Sequence, residues 1–341
     1  MTKTFYILDS FLLPTGYNHM FMVQKIANGF RYNGFSSKIV SKIEEITEPG
    51  FVMICDHPFY FSFGARHNKK GNIFRVIPSV IRLIAKRLPI IESVSVALQL
   101  RAYKKLSRQI KRKNLVVIAW NIIDERRDFL SKLGVPIIFT GEYYSDKPKV
   151  NYAKAWYKIY TNKLNKNCLP LKFGADVDPN RVGIGHTNKK YTISYVGDKS
   201  YGRPYVSFFN SLSGTKIVLT PPYIPENEKV KIYKNSMIVL GATSTNSKKA
   251  NHVPERIFEA LAYGAICLTD SKPAVEQTDR HALYFKDVNT LKSIVKLLLE
   301  DREEIKQLRE AGFEYIRDKG TWASRALDFI KLAAELYKVN F

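Results

Sequence analysis

Short apolar, β-branched runs alternate with helical patterns along most of this chain, and that alternation admits few folds. Phe5-Tyr6-Ile7-Leu8 reads as a buried strand, followed by a loop with Pro14 and Gly16, a helix from about Tyr17 to Tyr32, and a second strand near Ser37 to Val40. Strand, crossing helix and strand make a βαβ opening, which predicts a parallel sheet. Phe51 to Cys55, Asn114 to Ala119 and Val135 to Thr140 continue the series. A second series follows the polar stretch Asn162 to Asn167, with strands at Tyr191 to Val196, Lys216 to Thr220, Ser236 to Leu240 and Ala265 to Thr269. The chain's 341 residues suit two domains. The expected division is a doubly wound α/β domain over 1–165, a second over 166–323, and a last amphipathic helix at 324–341 packing back on the first. That helix is expected to turn Leu327, Ile330, Leu332, Ala333 and Leu336 toward its apolar side.

Composition narrows the class of partner. With 45% hydrophobic and 25% charged residues the chain is neither disordered nor collagen-like. Its 54 Lys and Arg stand against 31 Asp and Glu, a net charge of +23 that points to phosphate-bearing partners. From Arg82 to Lys113 ten basic residues face one acid, Glu92, so +9 falls in one segment of the first domain. Ile77, Val80, Ile81, Ile84 and Leu88 share a helical face opposite Arg75, Arg82 and Lys86, the pattern of a core helix or of an interfacial helix on an anionic bilayer. Residues 74–113 are thus the candidate surface for an anionic membrane. The same charge also suits a DNA backbone, although no helix-turn-helix or finger motif is visible. Cys55, Cys168 and Cys267 form no C-x-x-C pair, so neither a disulfide framework nor a zinc site is expected. Asp9 and Pro14 interrupt the apolar run a signal peptide would need. No later run of about 18 apolar residues occurs. The expected location is cytoplasmic, with peripheral attachment to the cytoplasmic face of the membrane as an option.

The most informative stretch runs from His252 through Val-Pro-Glu-Arg-Ile-Phe-Glu-Ala-Leu-Ala-Tyr-Gly to Ala-Ile-Cys-Leu-Thr-Asp270. Pro254 suits the first turn of a helix, Gly264 its end, and Ala265 to Thr269 the strand that follows. Arg256 and Glu259 then share one helix face, as an exposed ion pair or as two ligand contacts. A guanidinium beside free backbone N–H groups can hold a diphosphate, and a carboxylate one turn on can accept both hydroxyls of a ribose.

This stretch resembles the nucleotide-sugar-binding helix of glycosyltransferases with the B-type (GT-B) fold, two facing Rossmann-like domains with the active site in the cleft between them. Cys168-Leu-Pro-Leu-Lys-Phe-Gly-Ala-Asp176 is similar to the entry of that family's second domain, and Ile193-Ser-Tyr-Val-Gly-Asp-Lys-Ser-Tyr-Gly-Arg203 to its first strand and glycine loop. The resemblance covers roughly residues 168–320 and extends to the spore-coat-type group and to phage DNA glucosyltransferases. It implies donor binding by Gly197, Arg203, Arg256 and Glu259, with Arg203 on the pyrophosphate. Lys199, Lys248 and Lys249 are further cations near the donor. Retaining members often carry a second glutamate eight positions earlier, where this chain has Asn251. An inverting mechanism is therefore expected, with a base from the first domain. Glu142 in Phe-Thr-Gly-Glu-Tyr-Tyr-Ser-Asp146 is the first choice, and Asp56, His57 and His19 are the alternatives. Each of these four can equally be a loop-bonded or capping residue. No Asp-x-Asp triplet followed by an apolar strand context is evident, so the metal motif of the other major glycosyltransferase fold is missing and no metal or cofactor is expected beyond the nucleoside-diphosphate sugar itself.

Three readings follow for function. The first is a glycosyltransferase that moves a sugar from a nucleotide-sugar donor to a lipid-linked or cell-surface glycan. The second is the same chemistry directed at a hydroxymethylated base in DNA. The third is a non-catalytic nucleic-acid- or membrane-binding protein on the same fold.

Overall fold

The computed structural model describes residues 4–8, 17–40, 43–55, 101, 104–120, 132–135, 137–140, 168–169, 174–178, 189–220, 224–243 and 253–337. The chain divides into two compact units, Met1–Leu171 with Phe329–Phe341, and Lys172–Asp328.

In the first unit six parallel strands lie in the order β2-β1-β3-β4-β5-β6. They are β1 (Thr4–Leu8), β2 (Ser37–Val40), β3 (Gly50–Cys55), β4 (Leu115–Trp120), β5 (Ile137–Thr140) and β6 (Cys168–Leu169). Helix α1 (Tyr17–Tyr32) joins β1 to β2. It buries Ile26, Ala27 and Phe30, and the Phe30 ring stacks on Phe5 at 3.8 Å while Phe5 stacks on Phe51 of the next strand at 5.0 Å. Three stacked rings therefore tie helix, central strand and neighbour into one core. A second helix, α2, covers 104–112 and leads into β4. The sequence alone places these strands to within two residues of where they lie. The exception is β6, because Cys168-Leu169, which resembled the entry of the second domain, pairs in parallel with Phe139-Thr140 of β5.

In the second unit five parallel strands lie in the order β11-β10-β9-β7-β8. These are β7 (Tyr191–Asp198), β8 (Thr215–Thr220), β9 (Ser236–Gly241), β10 (Ile266–Thr269) and β11 (Leu283–Tyr284). The helices are α3 (Lys199–Asn210), α4 (Glu226–Lys234), α5 (Glu255–Ala262), α6 (Lys272–Gln277), α7 (Val288–Glu300), α8 (Arg302–Tyr315) and α9 (Trp322–Tyr337). Ile193, Tyr195, Phe209, Ile238, Leu240, Ile266, Leu268 and Phe285 form the core between sheet and helices. Both sheets place their first strand between the second and third, so each reverses direction there. In a parallel sheet that reversal opens a crevice at the carboxyl ends of the strands, where ligands bind. In the second unit the crevice lies between the ends of β7 and β9.

Helix α9 corrects one expectation. Its buried stripe is Trp322, Ala323, Ala326, Phe329 and Ile330, whereas Leu327, expected on the apolar side, is 39% exposed. Residues 322, 326, 329 and 330 share a face at helical spacing, and Leu327 lies a residue off it. Among the described residues no helix is long and apolar enough to cross a membrane, and Cys267 is a buried free thiol.

The C-terminal ends of α4 and α5 are held by cations. Lys189 Nζ donates to the carbonyls of Lys234 at 2.7 Å and Tyr263 at 3.2 Å, and Arg309 Nε donates to Gly264 O at 2.6 Å. These contacts satisfy carbonyls that a helix end leaves without partners. Burial, and secondarily Arg309, lowers the Lys189 pKa to about 8. Between about pH 8 and the ordinary lysine value the unfolded chain keeps a proton that the folded chain has released, so this residue's contribution to stability rises with pH. Thermal denaturation of wild type and Lys189→Gln at pH 7.5 and pH 10 checks this: the difference between the two proteins should shift toward wild type at the higher pH.

Candidate functional site

The crevice of the second unit is assembled around α5. Pro254 sits at the N-cap with φ −65° and ψ 144°, one position earlier than the first-turn role expected for it, and provides no side-chain cap. The first turn therefore has no capping side chain, and apart from Ile257 N, which donates to Pro254 O at 3.1 Å, its N–H groups carry the partial positive charge that favours an anion. The helix stops at Gly264, whose φ of 65° is readily adopted only by glycine, and the backbone bonds Gly264 N to Leu261 O and Ala265 N to Ala260 O close it. Six of the helix's eight residues are buried, including a carboxylate, Glu259.

Arg256 and Glu259 do not form the exposed pair that their spacing allowed. Glu259 is 2% exposed, and both of its carboxylate oxygens lie 2.9 Å from Lys229 Nζ on α4. Lys229 in turn lies 2.8 Å from Glu226. Burying a carboxylate is costly without a countercharge, and Lys229 supplies it. Sequence reading missed Lys229 because Glu226-Asn-Glu-Lys-Val-Lys has the look of a solvated surface helix.

Arg256 turns the other way, toward the end of β7. A Cβ built on Gly197 would collide with Arg256 Nη1 and would lie 2.7 Å from the Tyr195 hydroxyl. The missing side chain at Gly197, a residue expected in donor binding, is what admits the guanidinium. Arg256 Nη1 is buried and has no hydrogen-bond partner among the described residues. Tyr195 donates to Asp198 O at 2.9 Å, and its pKa is raised by burial while the adjacent Arg256 opposes the rise. Burial also raises Tyr233 and takes the Cys267 thiol to about 12, so both groups around Arg256 are neutral at physiological pH.

The third wall is a polar lock between strand ends. Asp270, just after β10, accepts from the Thr243 amide and hydroxyl, both at 2.9 Å, and from the Tyr205 hydroxyl at 3.3 Å. It fixes the chain leaving β9 against the chain leaving β10.

The other expected residues fall in three groups. Arg203 lies in α3, which begins at Lys199 directly after β7, so the expected glycine loop is replaced by strand running straight into helix; the Arg203 side chain lies outside the described residues. Lys199 is exposed at the start of the same helix. His19 is in α1 with its side chain outside the described residues, and Asp56, His57, Glu142, Lys248, Lys249 and the whole of 74–88 also lie outside them. Asp56 follows β3 directly in sequence, and Glu142 comes two residues after β5. Among the described residues no group of three His, Cys, Asp or Glu side chains is placed to hold a metal ion.

Comparison with known proteins bears on the fold that carries this geometry. Residues 193–331, from within β7 to within α9, match the glycosyl transferase-like family. The solved structure of T4 phage β-glucosyltransferase is 13% identical with a TM-score of 0.50, covering 97% of this chain and 99% of its own. A glycosyltransferase from Rickettsia africae is 10% identical with a TM-score of 0.54, covering 99% and 100%. The E. coli trehalose-6-phosphate structure bound with UDP-2-fluoro glucose is 10% identical with a TM-score of 0.56 and the same coverage. This is the GT-B fold. The matches support a glycosyltransferase, and within that fold the Arg256 crevice lies in the unit that carries the family match. No curated protein matches the sequence.

Two substitutions test the site's construction. Gly197→Ala should destabilise the protein by about 1–3 kcal/mol, because the new methyl and the Arg256 guanidinium need the same space. Urea denaturation measures it. Lys229→Met should cost about 3–5 kcal/mol by stranding a buried carboxylate, and adding Glu259→Met should recover much of that loss in a double-mutant cycle.

Proposed function

We propose that the protein transfers a sugar from a nucleoside-diphosphate sugar to a glycan or lipid-linked acceptor with inversion, without a metal ion. The observation that carries the donor half is Arg256 Nη1, a buried guanidinium nitrogen with no hydrogen-bond partner of its own among the described residues, beside the Tyr195 hydroxyl at the opening turn of α5 and the crevice between β7 and β9. A buried unsatisfied donor costs about 1–3 kcal/mol, and a phosphate oxygen would relieve that cost. The first-turn N–H groups of α5 add to the same attraction. Glu259 lies one turn further along, its charge balanced by Lys229, and is the carboxylate we assign to the two hydroxyls of a ribose.

In this reading Arg256, the α5 N-terminus and Arg203 stabilise the negative charge that develops on the departing diphosphate, the role a metal plays elsewhere. The acceptor oxygen forms a bond to the anomeric carbon from the opposite face. The carbon–oxygen bond to the diphosphate breaks, its electron pair leaves with the nucleoside diphosphate, and a base in the first unit takes the acceptor proton. Glu142 is our choice of base, with Asp56, His57 and His19 behind it. The lipid-linked acceptor is preferred to a DNA base because the charge can be assigned to a surface of the first unit, as described below.

Thermal shift against UDP, GDP, CMP and dTDP and their common sugar conjugates tests the donor reading. A selective rise in melting temperature with one nucleotide is expected, since a ligand bound only by the folded state stabilises it. Silence across the panel would favour a binding protein. Arg256→Ala and Glu259→Ala should each weaken donor binding by about 1–3 kcal/mol in calorimetry; unchanged affinity in both rejects the assignment. Glu142→Gln should abolish turnover and leave donor affinity intact.

A further inference from the structure

The excess positive charge is concentrated in one unit. Met1–Leu171 with Phe329–Phe341 holds 30 Lys and Arg against 12 Asp and Glu, a net +18, while Lys172–Asp328 holds 24 against 19, a net +5. Donor binding belongs to the second unit, so the charge of the first serves something else.

Within the first unit α2 carries the densest part. Lys104, Lys105, Arg108, Lys111 and Arg112 are all exposed, as is Arg101 on the helical residue before it. Among the described residues none of the six has an ion-pair or side-chain hydrogen-bond partner, and residues 101–113 contain no acid. At 3.6 residues per turn the five cations of α2 fan over an arc of about 120° and a length of about 12 Å. The opposite side of the helix is its buried side, with Leu106, Ser107 and Ile110 at 5%, 5% and 0% exposure.

This arrangement works against the helix that carries it. Arg108 has like charges at both i−4 and i−3 and both i+3 and i+4, each of which destabilises a helix by about 0.2–0.5 kcal/mol. Lys111 and Arg112 gain from the helix C-terminus, but that attraction fades within the last turn and does not reach Lys104 or Lys105. Self-repulsion without an internal partner is relieved when an external polyanion approaches.

We infer that the outward face of α2 docks the first unit on an anionic lipid bilayer by charge alone. Two observations choose the bilayer over a nucleic acid. The outward arc holds only cations, with none of the Ser, Thr or Asn side chains that fix register on a phosphate backbone and no aromatic ring for base stacking. Gln109, the helix's one amide, is engaged by Glu44 at 2.6 Å. A fluid leaflet needs charge and no fixed contact geometry. The apolar residues of α2 are committed to the core, so this helix rests on the headgroups and does not insert. It differs in that respect from the interfacial insertion that the 74–88 pattern suggested.

The test compares full-length wild type with the variant Lys104→Gln, Lys105→Gln, Arg108→Gln, Lys111→Gln, Arg112→Gln. Glutamine is a good helix former and all five positions are exposed, so the fold is retained; removing like charges should leave the melting temperature equal or higher. Co-sedimentation with phosphatidylcholine vesicles containing about 30% phosphatidylglycerol should show binding that pure phosphatidylcholine lacks and that about 0.5 M salt abolishes. Each cation near an anionic leaflet contributes roughly fivefold, so the variant should lose about 100-fold or more in partitioning. A second variant that exchanges each Lys for Arg and each Arg for Lys should bind as wild type does. Vesicle binding equal in wild type and the glutamine variant overturns the inference, as does equal binding to neutral vesicles. Tighter binding to a ~20-base-pair duplex at the same salt, lost in the glutamine variant, would transfer the surface to nucleic acid. Nucleotide affinity, measured in parallel, reports separately on the donor reading and should be the same in all three proteins.

Discussion

A carboxylate almost wholly removed from water governs the second unit. Glu259 can be buried in α5 only because Lys229 reaches it from α4, and that ion pair ties together two helices on the same side of the sheet. Packing of α5 onto β9 and β10 follows, since six of its residues are inside. The same packing sends Arg256 to a strand position without a side chain, Gly197. A carboxylate and a guanidinium three residues apart, which on a surface helix would neutralise one another, are thereby separated into two sites of opposite sign.

That separation shows where sequence reading succeeds and where it stops. The strands and α1 are legible because apolar periodicity and β-branched runs are local signals, and the helix end at Gly264 is legible because few other residues adopt its backbone angle. The partners of Arg256 and Glu259 are not legible. Lys229 stands thirty residues from Glu259 and Gly197 fifty-nine from Arg256, and nothing in either local pattern announces the contact. Strand β6 escaped for a related reason: two residues are too few for periodicity, and their state is set by an edge of β5 rather than by their own composition. The glycine loop failed differently. Glycine at 197 was read as loop chemistry, but it occupies a strand, where its purpose is a close approach by another element.

The two units also divide the chemistry by charge. The second, nearly balanced, builds a small site from individually placed groups, Glu259 held by Lys229 and Asp270 by Thr243 and Tyr205. In the first, the exposed cations of α2 have no ion-pair partner among the described residues, and the surface proposed for them works as an ensemble. A donor must be recognised atom by atom, whereas a surface is recognised by its mean potential, and the two tasks ask for opposite degrees of side-chain order.

Helix α9 crosses from one unit to the other near residue 328 without a break in its hydrogen bonding. The first unit is therefore built from two stretches of chain separated by about 160 residues, while the second is a single uninterrupted insert. In folding terms the insert can close on contacts that are local to it, whereas the last piece of the first unit has to return across the whole insert. The entropy of that return falls as soon as the insert is compact, because its ends are then already near one another. The cost of adding Phe329–Phe341 to the amino-terminal unit is therefore set by the compactness of a unit that follows it in sequence.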